Sequence, residues 1–64
     1  MKIILSYSTI NIMQEDPVSI TSILDKLTIN PSDVIVSRNG KLVPEDTLIS
    51  GDDEIRIIRI AHGG

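Results

Sequence analysis

Glu54-Ile55-Arg56-Ile57-Ile58-Arg59-Ile60 runs directly into Ala61-His62-Gly63-Gly64, and the two parts of this stretch obey different rules. Isoleucine, stiff at χ1 and suited to a pleated surface, fills four of the first seven positions, which predicts a β-strand. Alternation puts Ile55 and Ile57 on one face and Glu54, Arg56, Ile58 and Ile60 on the other. A strand apolar on both faces belongs in the middle of a sheet. After Ile60 the character changes. Gly63 and Gly64 have no side chain to bury, and ordering each backbone unit costs roughly 1–2 kcal/mol. Residues 61–64 are therefore expected to form a flexible arm, set apart from a folded domain of residues 1–60.

A closing pair of glycines has a bland explanation, because frayed ends are common. Average glycine usage is about 7%, so chance supplies such a pair in roughly one chain in two hundred. The functional explanation makes the carboxylate of Gly64 the reactive group, on an arm thin enough to enter a narrow channel in another protein. The rest of the chain has to decide between them.

Sixty-four residues support one domain. A domain of this size buries only about 60% of its unfolded surface, so its core must be efficient. Without cysteine there is no disulfide or thiolate metal site to staple it. With Tyr7 the sole aromatic, the core rests on aliphatic side chains. No apolar run is long enough for a transmembrane helix, and no leader pattern is visible, so a cytoplasmic, monomeric protein away from membranes is expected. The net charge of −3 and six scattered basic residues argue against direct nucleic-acid binding, which needs a basic stripe.

From the start, Ile3, Leu5 and Tyr7 alternate with Lys2, Ile4 and Ser6, predicting a strand. Ser8-Thr9 is taken as a short turn and Ile10 to Gln14 as a second strand, broken by Pro17. Ser19 is a good N-cap for a helix from Ile20 to about Leu27, with Ile20, Ile23, Leu24 and Leu27 on one stripe. Two turns of helix are unstable alone, so it must lie on a sheet. Asn30 suits the cap of a following single turn that has Pro31 at its first position. Val34-Ile35-Val36 resumes strand character. Asn39-Gly40 is the clearest hairpin signal, and Lys41-Leu42-Val43 returns as a strand ended by Pro44. Residues 45–49 connect, tucking in Leu48 or Ile49, and Ser50-Gly51-Asp52-Asp53 turns into the last strand. The order strand, strand, helix, strand, strand, strand predicts an α+β, β-grasp fold. One helix crosses a mixed sheet of four to five strands, with the first and last strands parallel in its centre.

No catalytic constellation is present. His62 sits on the arm without an orienting partner and is a poor catalyst. The acidic groups Glu15-Asp16, Glu45-Asp46 and Asp52-Asp53-Glu54 lack the alternating ligand spacing of a calcium loop and read as solvated turn carboxylates. No metal site is expected. Gly40 and Gly51 are turn glycines rather than a phosphate cradle. The outward set Ile4, Arg56, Ile58 and Ile60 would form an exposed apolar patch around an arginine, a candidate docking face.

Taken together, Asn39-Gly40, Val43-Pro44-Glu45-Asp46, Gly51-Asp52 and the final Gly63-Gly64 resemble the ubiquitin-like sulfur carriers and protein modifiers ThiS, MoaD, TtuB and the small archaeal modifier proteins. The spacing of Leu27, Ile29, Pro31 and Val34 is most similar to the archaeal modifiers. The resemblance implies that an E1-like adenylating enzyme uses ATP and Mg to activate the Gly64 carboxylate. Sulfur from a cysteine desulfurase or rhodanese-type donor would make a thiocarboxylate, or the acyl group would pass to a lysine of a target protein. Gly64 would be the point of attachment, Ala61, His62 and Gly63 the part inserted into the partner, and Ile4, Arg56, Ile58 and Ile60 the docking face. Lys2, Lys26 and Lys41 would be candidate acceptors for self-modification.

Such a protein is not itself an enzyme and binds no cofactor of its own. Its downstream acceptor would belong to thiamine, molybdopterin or tRNA thiolation chemistry, and the archaeal pattern inclines toward tRNA thiolation with protein conjugation. The alternative is a β-grasp interaction or regulatory module in which Gly63-Gly64 is incidental.

Overall fold

Val34–Arg38 (β4) and Glu54–Arg59 (β7) pair antiparallel over five positions, from Val34 opposite Arg59 to Arg38 opposite Ile55. The computed structural model in which they lie describes residues 1–60. On the other side of β7, Lys2–Ile4 (β1) runs parallel to it, with Ile3 opposite Ile55 and Ile4 opposite Arg56. Thr9–Asn11 (β2) and Lys41–Val43 (β5) complete a five-stranded sheet in the order β2-β1-β7-β4-β5. The strand apolar on both faces is therefore central, and the first and last strands of this sheet are adjacent and parallel. This is the β-grasp arrangement.

The helix Ile20–Lys26 (α1) begins where the sequence directs it, because the Ser22 N–H donates to the Ser19 side chain at 3.2 Å. Ile20, Ile23 and Leu24 are buried against Ile3, Val34, Val36, Ile49, Ile55 and Ile57. Four of these side chains, Ile3, Ile20, Leu24 and Ile55, are 0% exposed, and no aromatic is needed. The helix ends in a Schellman motif. The Ile29 N–H donates to the Leu24 carbonyl at 2.8 Å and the Thr28 N–H to the Asp25 carbonyl at 3.1 Å. That closure puts Thr28 at φ +60°, a left-handed position that a β-branched residue seldom adopts.

Two parts differ from the expectation. The first hairpin turns at Ser6-Tyr7, not Ser8-Thr9, with the Leu5 N–H donating to the Ser8 carbonyl at 2.8 Å. Its strands are shorter than their alternation suggests, and Tyr7 stands 99% exposed at the turn instead of lying on a strand face. No glycine or asparagine marks the centre of this turn, so cross-strand pairing of Ile3 with Ile10 sets its position. Second, Val18–Ser19 (β3) and Leu48–Ile49 (β6) form a small antiparallel sheet that sequence periodicity did not reveal. Ile49 tucks inward and Leu48 points out. The Thr47 and Glu45 carbonyls accept from the N–H groups of Ile20 and Thr21, stitching this segment to the helix start.

Candidate functional site

Because the side-chain period of a strand is 2, the register fixes which residues share the sheet face away from α1. Ile4 lies opposite Arg56 across the parallel pair, and Ile58 follows Arg56 by two positions on β7. Ile4 is half-buried, while Arg56, Ile58 and Ile60 are exposed. The face is larger than the sequence suggested. Ile35 lies opposite Ile58, and Ser37 lies between Arg56 on one side and Leu42 on the other. Ile35 and Leu42 are exposed, whereas Ser37 is buried between its two larger neighbours. Ser37, Gly40, Leu42, Glu54, Arg56 and Ile58 line a depression of about 320 Å³ on this side. Alternation along β4 and β5 holds the signal for Ile35 and Leu42, but only the antiparallel register shows that they join Ile58.

The opposite end of β7 is held by a polar knot. The Asp53 carboxylate accepts from the Ser50 N–H at 3.0 Å and the Asn39 side-chain amide at 3.2 Å, and its Oδ2 lies 3.2 Å from the Arg38 Nε. The Asn39 Oδ1 in turn accepts from the Glu54 N–H at 2.9 Å. The hydrogen bond from Ser50 lowers the Asp53 pKa most, desolvation opposes it, and Asn39 and Arg38 add to the lowering. Asp53 is thus a structural carboxylate, not the solvated turn group expected, because its side chain is folded back onto these donors. The hairpin between β4 and β5 turns at Asn39 and Gly40 with φ +51° and +88°, as a type I′ turn requires.

Where β7 ends, the Ile60 N–H donates to the Asp33 carbonyl at 2.9 Å. Asp33 closes the 3-10 turn Pro31–Asp33, whose cap is Asn30 as its sequence predicts. Ala61, His62, Gly63 and Gly64, the expected arm and point of attachment, lie outside the described residues. Lys2, Lys26 and Lys41 are exposed. Among the described residues no three His, Cys, Asp or Glu side chains gather as a metal site, and no helix is long and apolar enough to cross a membrane.

The geometry presents a partly apolar sheet face around Arg56, beside a central strand, β7, that ends at Arg59. Comparison with known proteins agrees with this architecture. The model of the ThiS family matches residues 6–64. The crystal structure of the thiamine biosynthesis protein ThiS from Geobacter metallireducens superposes with a TM-score of 0.68 at 17% identity, covering 100% of both chains. The NMR solution structure of a thiamine biosynthesis protein from the same organism gives a TM-score of 0.64 at 17% identity, covering 100% of this chain and 88% of that one. At this identity the two structures establish likeness of fold. No curated protein matches by sequence.

Proposed function

The chain belongs to the ThiS family, and from that premise we propose that it is a sulfur carrier whose Gly64 carboxylate is the working group. An E1-like enzyme holding Mg-ATP would adenylate it. A carboxylate oxygen attacks the α-phosphorus, pyrophosphate leaves, and the resulting mixed anhydride has the good leaving group that a bare carboxylate lacks. A persulfide sulfur then displaces AMP at the acyl carbon to give an acyl disulfide. A thiol attacks the donor's sulfur in that S–S bond, forming a disulfide with it and releasing the thiocarboxylate. ATP and Mg are the partner's, and the carrier and its partners would share the cytoplasm.

The observation that supports this reading is the reach of the family match, which runs through residue 64 and so takes in Gly63 and Gly64. Ala61 is small and Gly63 and Gly64 lack a Cβ, which suits entry of the chain end into a partner's confined site. Ile4, Arg56, Ile58 and Ile60, with Ile35 and Leu42 beside them, are the surface proposed to dock on the activating enzyme. Of the three routes considered, the family supports thiamine synthesis first. Transfer to tRNA-thiolating or molybdopterin-forming acceptors, or to target lysines, is then decided by supplying the thiocarboxylate form to each.

The test is intact-mass measurement after incubation with an E1-like enzyme, Mg-ATP, a persulfide donor and a thiol reductant. The expected result is a gain equal to replacement of one oxygen by sulfur, absent after deletion of Gly64. A chain that gains no mass and forms no adduct with such enzymes, and whose partner binding survives loss of Gly64, is instead an interaction module.

A further inference from the structure

We propose that Asn30 is a positioning residue for the root of the acyl arm, acting through the turn Pro31–Asp33; this rests on the proposed acyl-donor role of residues 61–64. The paired register of β4 and β7 stops at Val34 and Arg59. The next bond along, from the Ile60 N–H to the Asp33 carbonyl at 2.9 Å, takes its acceptor from the turn and not from a strand. It is the last point at which the described chain is tied down before position 61.

The direction of that carbonyl depends on the turn staying wound. Asn30 winds it from both backbone and side chain. Its Oδ1 accepts from the Ser32 N–H at 3.0 Å and lies 2.9 Å from the Ser32 hydroxyl, while its carbonyl accepts from the Asp33 N–H at 3.0 Å. Pro31 pre-sets the first φ of the turn, and the Val34 N–H closes it on the Pro31 carbonyl. If the turn opens, the Ile60 N–H loses its acceptor and Ile60 is released from the body of the domain.

A partner capturing the arm must then immobilise that residue too, which weakens productive capture by roughly tenfold. Once captured, the Gly64 carboxylate meets the same chemistry. The loss therefore falls on KM and leaves kcat nearly unchanged, the pattern of lost uniform binding.

Asn30→Ala and Pro31→Gly loosen the turn in independent ways, and Asn30→Asp keeps a capping oxygen. Hydrogen exchange of the Ile60 amide reports the clamp directly, and steady-state adenylation by the E1-like enzyme reports its consequence. In both loosened variants the Ile60 amide is expected to exchange faster while the amides of Ile55 and Ile57 keep their protection. KM for the carrier should rise roughly tenfold at constant kcat, with Asn30→Asp restoring both readouts. Unchanged Ile60 exchange in Asn30→Ala and Pro31→Gly, or a fall in kcat at constant KM, overturns the proposal. If one variant fails to fold, the other decides. Failure of the unaltered chain to be adenylated at all overturns the proposed function instead, and the exchange measurement still judges the clamp.

Discussion

Asn39 and Glu54 are joined by two opposed hydrogen bonds: the Asn39 N–H donates to the Glu54 carbonyl at 2.8 Å, and the Glu54 N–H donates to the Asn39 side-chain oxygen at 2.9 Å. The residue that forms the hairpin turn between β4 and β5 therefore also fastens the start of the central strand. Aspartate would satisfy the turn but has no amide to donate to Asp53, and glycine has no side chain at all. Asn39→Gly is expected to keep the turn and lose the fastening, at a cost of about 1–3 kcal/mol for the donor left unpaired and the bonds removed. Chemical denaturation measures the loss. An unchanged midpoint would show that water replaces the side chain at no cost.

Asp53, next to this pair, makes stability depend on acid. Its folded pKa is lowered, first by the Ser50 N–H and then by Asn39 and Arg38 against an opposing desolvation. A lowered folded value means the unfolded chain binds the proton more readily. The stabilisation is full above the ordinary carboxylate range and fades as pH falls below about 4 toward the depressed value. Asp53→Asn should therefore be less stable than the unaltered protein at neutral pH, by about 1–2 kcal/mol. The gap should narrow in acid. Urea melts at neutral pH and near pH 3 give the two differences. A gap that stays constant across the range would rule out the ionised carboxylate as its source.

Thr28 shows a local preference losing to tertiary closure. Its φ of +60° is dictated by the Schellman bonds to Leu24 and Asp25, which bring Ile29 back against the core. A left-handed conformation costs a residue with a Cβ roughly 1–2 kcal/mol, part of which glycine returns as unfolded-state entropy. Thr28→Gly is expected to raise stability by about 1 kcal/mol, read as a higher melting temperature. A drop would mean that the threonine side chain makes a compensating interaction.

Much of this architecture was legible wherever the controlling interaction is local. Ser19 and Asn30 announce their caps, Asn39-Gly40 its turn, and Ile20, Ile23 and Leu24 the buried stripe, because each signal spans only a few residues. The two-residue strands Val18–Ser19 and Leu48–Ile49 exist only through pairing across the chain, and two residues are too few to show a period. The same limit applies to the turn at Ser6-Tyr7 and to the role of Asp53, whose donors lie up to fifteen residues away in sequence. At the candidate site, Ile4, Arg56 and Ile58 follow from alternation along two strands. Ile35 and Leu42 needed the antiparallel register, which sequence spacing alone does not state.

Ile57 and Ile58 are chemically identical neighbours that the sheet assigns to opposite tasks. Ile57 is 4% exposed beneath α1, and Ile58 is 38% exposed on the far face beside Arg56 and Ile35. Ile57→Ala should cost about 2–5 kcal/mol, a large share of what so small a domain has, and broaden or abolish cooperative unfolding. Ile58→Ala should cost less than about 1 kcal/mol, since much of its side chain already meets water. If the far face docks on the activating enzyme, Ile58→Asp weakens that association by about 1–3 kcal/mol, roughly five- to more than a hundredfold, with the fold retained. Calorimetric titration against the E1-like enzyme, paired with a melt of each variant, separates the two effects. Equal affinity for Ile58→Asp and the unaltered chain would remove this face from the interaction and leave recognition to the arm beyond Ile60.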